Sequence, residues 1–554
     1  MRKARKGRAA PGRRPAHPPD PAAPALTLEA YDVAERGDTV RAQELFRQAI
    51  RINSNVSSAW LGLGREFMRT PSGYEEAYRF ILRAIAEADR TLREFPDDRA
   101  CHVVRAMAYK ALLDPAEFVA SARRAVDLAP DPRIHGDMVF QMNCLPETTP
   151  ESLFAEACRW NALYAAPLAP EGKPHPNPPD PGRRLNIGYV SPDLYGHAIA
   201  KFLPPVFECH DRAHFAVTAY SLGRRTDAFT ERLSATVDRF VSRPGSGAAL
   251  EAAIRADEID ILVDLAGYTM PMEYFLVFAR KPAPIQVSWA GVLSTTGLRT
   301  MDYFLGDANL PCPGTEHCFS ETVYRLPRSI CSYRPPLDVP VAPSPCLERG
   351  YITFGSFNSP FKIGPHVVKV WAEVLRGVPR SRLLMKYDAL NTQVMSGRFQ
   401  GWFAKEGISR ERLEFQGKSL LGEYLESYGQ IDILLDPFPY QGGSTTFDAL
   451  WMGLPIVAMN GRLAVSRSTA GILKTVGLPD TIADSPQQYV KAAVFLAGIV
   501  GKIPDMRRNI RQALQSSPYM DETGFTRDLE AAYRDMWRTW CRKQALAGAA
   551  PARG

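Results

Sequence analysis

This sequence predicts two successive α/β halves, each a doubly wound parallel sheet, preceded by an all-α region of helical repeats. Three observations carry that expectation. Short apolar runs alternate with helix-like stretches between residues 183 and 335, and the same texture returns between 349 and 522. Seven prolines crowd residues 166–182, as suits a stiff linker at a domain boundary. Ahead of them, REFPDD and DLAPDP set Pro96 and Pro130 34 residues apart, the period of a paired-helix repeat.

In chain order, the first element is a tail. Arg2, Lys3, Arg5, Lys6, Arg8, Arg13 and Arg14 all precede the first acid, Asp20, and the formal net charge of the whole chain is +7. The remainder is therefore balanced. The basic character belongs to residues 1–26, expected to be disordered, and not to a folded nucleic-acid-binding face. This tail lacks the apolar core of a secretory signal. Its arginines suit an organelle transit peptide, but it contains no serine.

Residues 27–165 read as helices. Trp60-x-x-Leu63-Gly64, then Phe67, Ala77 and Ile81, fit the tetratricopeptide alternation of large and small residues, with a few extra residues near Thr70–Tyr74. Two to three units are expected; the competing reading is an irregular helical cap on the next domain. A repeat array does no chemistry, and its concave face binds peptide or protein. Nine cysteines, an odd number without any C-x-x-C pair, favour a reducing cytoplasm over a disulfide framework or a zinc ribbon. The longest apolar run, around residues 490–501, is too short to span a bilayer.

The strands of the first half (183–335) are expected at LNIGYVS, FAVTAYSL, IDILVDLAG, PIQVSWAG and DYFLGD. Those of the second (349–522) are expected at ITFGSFN, SRLLMKY, RLEFQG, IDILLD and PIVAMN. A connector over about 333–349 joins them, and ligands of such sheets bind at the strands' carboxyl ends. A last helix over 523–545, with Trp537 and Trp540, is expected to pack back across both halves.

The stretch IDILLDPFPYQGGSTTFDALWMGLP organises the candidate chemistry. A buried strand runs into Gly442 and Gly443, and Ser444, Thr445 and Thr446 then open a helix. Unpaired N–H groups at a helix start, approached through glycine, make an anion site. Asp448, about one turn on, could hold a ribose hydroxyl. The competing reading is a plain capped helix. In the first half His197 follows a strand and could take a proton or hold a phosphate. Tyr268 and Thr269 follow another strand. Gly291, Ser294 and Thr295 belong to a run of small and hydroxyl residues suited to touching a sugar. In the second half Asn358 and Lys362 follow a strand, and the lysine could neutralise a diphosphate. No Asp-x-Asp pair occurs, so a metal-held diphosphate is not expected. G-x-G-x-x-G, the Walker motif and G-x-S-x-G are also missing.

RLNIGYVSPD…GH, DILVDLAGYT, PAPIQVSWAG, ITFGSFN…KI, DILLDPFPYQGGSTTFDALWMGLP and SRSTAGIL occur in the order seen in the O-linked N-acetylglucosamine transferase family, which includes the plant SPINDLY proteins. The resemblance covers roughly residues 183–540. It implies two Rossmann-like lobes in the GT-B arrangement and an inverting, metal-independent transferase without a cofactor. The substrate would be a nucleotide-sugar donor, UDP-linked, bound mostly by the C-terminal lobe. It implies His197 beside the sugar and α-phosphate, and Lys362 on the leaving diphosphate. Gly443, Ser444 and Thr445 match the phosphate turn, Asp448 the ribose-binding aspartate, and Tyr424 the position that stacks on the base. Two differences leave the sugar and the nucleotide open. The family's G-Y-P-G-T reads Gly291-Val292-Leu293-Ser294-Thr295 here, and a donor-site glutamine is Ser359.

The expected activity is therefore transfer of a sugar, GlcNAc foremost, to Ser or Thr of an acceptor protein captured by the repeats, in the cytoplasm, with neither nucleic acid nor membrane as partner. Alternatives are glucose transfer to asparagine, transfer of a CMP-linked nonulosonic acid to flagellin, and an inactive tetratricopeptide adaptor.

Overall fold

The computed structural model describes residues 21–170, 175–503 and 505–549, so most of the expected basic tail lies outside the described residues. The part of it that is described is helical, because Ala22–Glu35 already forms the first helix. The chain divides into two compact units, Met1–Ala111 and Leu112–Gly554.

In the first unit, Ala22–Glu35 pairs with Thr39–Ile52, Ser57–Phe67 pairs with Tyr74–Glu94, and Arg99–Ala111 packs on the last of these. Ala30, Ala42, Leu45, Phe46, Ala59 and Leu63 form its core. Large and small residues alternate as the repeat pattern requires. A Cβ at Gly64 would meet Ile81 at 2.8 Å, so only glycine lets these two helices approach so closely. The extra residues expected near Thr70–Tyr74 form a turn, Pro71–Gly73. The helices expected over 27–165 thus divide, for Pro115–Leu128, Pro132–Met142 and Pro150–Trp160 belong to the second unit.

The second unit carries both sheets. The first comprises β1 (Leu185–Ser191), β2 (Phe215–Ser221), β3 (Arg239–Ser242), β4 (Ile261–Asp264), β5 (Ile285–Ser288), β6 (Tyr303–Gly306) and β7 (Thr322–Arg325). Its order is β3-β2-β1-β4-β5-β6-β7. The second comprises β8 (Thr353–Ser356), β9 (Arg382–Lys386), β10 (Leu413–Gln416), β11 (Ile433–Leu435), β12 (Ile456–Met459) and β13 (Ile482–Ala483), in the order β10-β9-β8-β11-β12-β13. Every pairing is parallel, as crossover helices on both faces demand. These are two Rossmann-like lobes.

Each expected strand forms. β3, β7 and β13 come in addition, all at sheet edges. They are short, and β3 and β7 are half exposed, so they show no apolar run to read. The final helix, Glu522–Ala549, differs from the expectation that it would straddle both halves. Phe525, Leu529, Tyr533, Met536 and Trp537 are buried in the first lobe's core, where Trp289 stacks on Phe525. The proline-rich segment is pinned where it is described: Asn177 Nδ2 donates to Asp260 Oδ1 at 2.7 Å, and Trp537 Nε1 donates to the Asp180 carbonyl at 2.8 Å. No helix among the described residues is long and apolar enough to cross a membrane.

Candidate active site

The carboxyl ends of β1, β4, β5 and β6 in one sheet and of β8, β9, β11 and β12 in the other open onto one cavity of about 440 Å³. Among its lining residues are His197, Thr269, Gly291, Asn358, Lys362, Gly442, Gly443, Ser444 and Thr445. These nine expected residues are brought together from both lobes.

The turn after β11 is the best-built part. Gly443 caps the helix Ser444–Trp451, and the first N–H groups to find a carbonyl are those of Thr446 and Phe447, both bonded to Gly443 O. The N–H groups before them are the unpaired donors of a helix start. The approach to this turn is braced from beneath. Asp436, fully buried at the end of β11, accepts from Gly442 N at 3.0 Å and from Asn358 Nδ2 at 3.4 Å. Asn358 Oδ1 in turn accepts from Thr445 Oγ1 at 3.1 Å. A Cβ on Gly442 would sit 2.6–2.9 Å from Thr446, Thr445 and Asp436 oxygens, so a glycine is needed there.

Lys362 ends a short turn after β8, Pro360–Lys362. Its Nζ donates to Gln441 O at 2.8 Å and lies 4.3 Å from the centre of the Tyr440 ring. Phe140 and Phe361 pack on the same ring. Burial pushes the amine down to about 8, with Asp436 pulling the other way. Burial likewise pushes the Asp436 carboxyl up to about 7. A cation held in such a place and committed to a single carbonyl is poised for an anion.

His197 caps the turn Ala198–Lys201 beyond β1 and is partly exposed, with Nδ1 4.0 Å from Asp193 Oδ2. Burial raises the Asp193 carboxyl, and the neighbouring imidazole opposes that shift.

Six expected residues lie outside the cavity lining. Tyr268 is buried, its hydroxyl donating to Thr296 O at 2.7 Å and its ring against Trp160 and Phe275. It braces the helices Pro132–Met142 and Met272–Ala279. Ser294 and Thr295 are also buried, and Glu321 holds the run from Thr295 on: Thr295 Oγ1 and Thr296 N donate to it at 2.7 and 2.6 Å. Of that run only Gly291 reaches the cavity, with Val292 and Leu293 beside it. Thr446 turns from the cavity to bond Thr469 Oγ1 at 2.7 Å. Asp448 is fully buried, and its carboxylate is taken by Lys201 Nζ, by Tyr333 at 3.0 Å and by Tyr424 at 3.2 Å. That bond also occupies the hydroxyl of Tyr424. A ribose or a base reaching this corner must compete with Lys201, which arrives from the other lobe.

Gly291 is a wall between two strand ends. A Cβ there would lie 2.5 Å from Ala266 N and 2.6 Å from Leu265 C, both backbone atoms that cannot turn aside. Gly291→Ala is therefore expected to destabilise the protein by about 1–3 kcal/mol, read as a lower urea midpoint. An unchanged midpoint would show that the wall is softer than its geometry.

Sequence reasoning missed Asp193, Asp307, Gln441 and Arg467, all lining the cavity. Arg467 and Ser468 stand inside SRSTAGIL, so the motif carried a signal; Gln441 counts through its backbone carbonyl, which residue type does not reveal. Among the described residues one group of potential metal donors converges, Glu151, His317 and Cys318, and none of the three lines the cavity.

A model of glycosyl transferase family 41 matches residues 173–331 and 345–529. The tomato (Solanum lycopersicum) protein described as a probable UDP-N-acetylglucosamine–peptide N-acetylglucosaminyltransferase SPINDLY is 36% identical over 423 residues, 74% of this chain and 45% of that protein. The probable UDP-N-acetylglucosamine–peptide N-acetylglucosaminyltransferase SEC of Arabidopsis thaliana is 28% identical over 375 residues, 65% of this chain and 38% of that protein. This chain thus spans less than half the length of these relatives. A solved mutant of Thermobaculum terrenum O-GlcNAc transferase superposes with a TM-score of 0.84 at 34% identity, covering 94% of this chain and 98% of that one.

Proposed function

Because the chain belongs to glycosyl transferase family 41, we propose that it moves a sugar, N-acetylglucosamine foremost, from a UDP-linked donor to a serine or threonine hydroxyl of a protein. The observation that supports this reading is the single cavity onto which Lys362, His197 and the helix start after Gly443 all open. The reaction is an inverting displacement at the anomeric carbon, and it needs no metal. Positive charge develops on the sugar ring and negative charge on the departing diphosphate. The Lys362 amine and the N–H groups at Ser444 and Thr445 meet the second, and preorganised donors of this kind supply about 3–4 kcal/mol each. His197 orients the acceptor or the donor. The helical repeats of the first unit hold the acceptor protein, and the nine unpaired thiols suit a reducing cytoplasm.

Transfer should depend on pH through Lys362. Burial disfavours the charged amine, so in the free protein it loses its proton as pH rises through about 8. The expected kcat/KM falls above that pH, since kcat/KM reports the free enzyme. A bound diphosphate favours the charged form, so the limb in kcat lies higher. Lys362→Arg, which does not titrate in this range, should lose the limb; a limb unchanged in that variant would assign it to another group.

The direct test is mass spectrometry of a mixture of candidate acceptor proteins incubated with the purified protein and UDP-GlcNAc. One added N-acetylhexosamine on Ser or Thr is expected. Val292 and Leu293 in the cavity wall favour a second reading with the same chemistry and another donor. Glucose would then go to asparagine, or a CMP-linked nonulosonic acid to flagellin. Calorimetry with UDP, GDP and CMP separates these cases. Failure of every nucleotide to bind and of every donor to react would leave the adaptor reading.

A further inference from the structure

Arg467 is the only arginine among the described residues that line the cavity. It closes the turn Ala464–Arg467 after β12, just before the helix Ser468–Val476. Its Nε donates to the Asn309 carbonyl at 3.3 Å and its Nη1 to Asn460 Oδ1 at 3.3 Å. Both acceptors are neutral, and neither bond involves Nη2.

Several other half-buried arginines of this unit are neutralised by carboxylates. Arg183 pairs with Asp260, Arg325 with Glu316, and Arg334 with Glu208 and Glu522. Arg412, away from the cavity, instead spends its guanidinium on the carbonyls of Leu375, Val378 and Ser381. Neither of the two aspartates that line the cavity is bonded to Arg467. Asp307 accepts from the N–H groups of Asn309, Leu310 and Ile330 at 2.8–3.1 Å, and Asp193 faces His197. A guanidinium that contributes to a cavity wall without a carboxylate carries a charge the protein itself does not balance.

Its place connects it to the phosphate turn. A Cβ built on Gly443 would lie 3.7 Å from the hydroxyl of Ser468, the residue after Arg467, and Thr469 Oγ1 donates to Gly442 O at 3.2 Å. The starts of the helices Ser444–Trp451 and Ser468–Val476 are therefore neighbours. We infer that Arg467 is a second cation for the donor's diphosphate, beside Lys362 and the helix start at Ser444. This inference rests on the nucleotide-sugar reading above and adds a residue that no motif assigned.

The two cations differ in kind. Lys362 loses its charge near pH 8, whereas a guanidinium keeps its charge throughout the working range. Arg467 is the planar, forked cation of the pair. Its Nε bond to Asn309, which belongs to the first lobe, also ties the bound phosphate to both sheets.

The experiment is calorimetry of the full chain with a nucleoside diphosphate and with the matching unphosphorylated nucleoside, on wild type, Arg467→Gln and Arg467→Lys. Thermal melting checks each fold. Arg467→Gln is expected to weaken diphosphate binding on the order of tenfold to a hundredfold and to leave nucleoside binding unchanged. Arg467→Lys, with a charge but no fork, should fall between.

Wild-type diphosphate affinity in both variants would overturn the inference. Equal losses for nucleoside and diphosphate would overturn it too, since they mark a structural role. If Arg467→Gln does not fold, Arg467→Lys decides alone, a loss confined to the diphosphate being the supporting result. A wild-type protein that binds no nucleoside diphosphate would instead overturn the functional reading on which this rests.

Discussion

Lys362→Ala is expected to lower turnover by on the order of a hundredfold or more while leaving the fold intact. The reason is the contrast between what the amine does for the protein and what it does for a leaving group. Within the chain Nζ donates one hydrogen bond, to Gln441 O, and lies over the Tyr440 ring. The burial that lowers its proton affinity means the folded state gains little from its charge. A departing diphosphate gains much more, because a preorganised cation in a water-poor cleft needs no reorganisation as charge develops. Single-turnover rates of transfer, set beside a thermal melt of the same variant, check both halves of the expectation. Near-normal transfer by a folded Lys362→Ala protein would remove the lysine from the mechanism.

Lys201→Met is expected to cost about 3–5 kcal/mol of stability, because it strands a buried charge. Asp448 is fully buried in the second lobe, and Lys201 reaches it from the first. Tyr333 and Tyr424 donate to the same carboxylate, and burial raises both phenols, so neither releases a proton to it. With the amine gone, two neutral hydroxyls must hold a full negative charge away from water. Equilibrium unfolding in urea measures the loss. The double variant Lys201→Met, Asp448→Asn should recover most of it, since the orphaned charge is then absent. A loss below about 1 kcal/mol in the single variant would mean that Asp448 is far better hydrated than its burial implies.

How much of this was legible in the sequence depended on whether a residue's role is local. β4, β11 and β12 were readable because buried parallel strands are apolar on both faces. β3, β7 and β13 were not, because an edge strand needs no apolar run. The glycine turn after β11 was readable for the same local reason: Gly442, Gly443 and the hydroxyls after them lie together in sequence, and the helix start follows from the backbone alone. Lys362 and His197 were placed at strand ends, and parallel sheets gather their strand ends on one side.

What failed had distant partners. Ser294 and Thr295 look exposed by type, yet both are buried, Thr295 with its hydroxyl on Glu321. Tyr268 was expected at the donor and instead fills a gap between helices beside Trp160. Asp448 was expected to be free for a ribose, and a lysine from the other lobe already holds it. Arg467 went unremarked for the converse reason: its interest lies in lacking a carboxylate partner among the described residues, and residue spacing cannot show that.

The measurement that bears most directly on the central claim is an experimental structure with a nucleoside diphosphate bound. The expected result places phosphate oxygens within hydrogen-bond reach of Lys362 Nζ and of the N–H groups of Ser444 and Thr445. A diphosphate held elsewhere, with Lys362 still bonded only to Gln441 and the helix start empty, would contradict it.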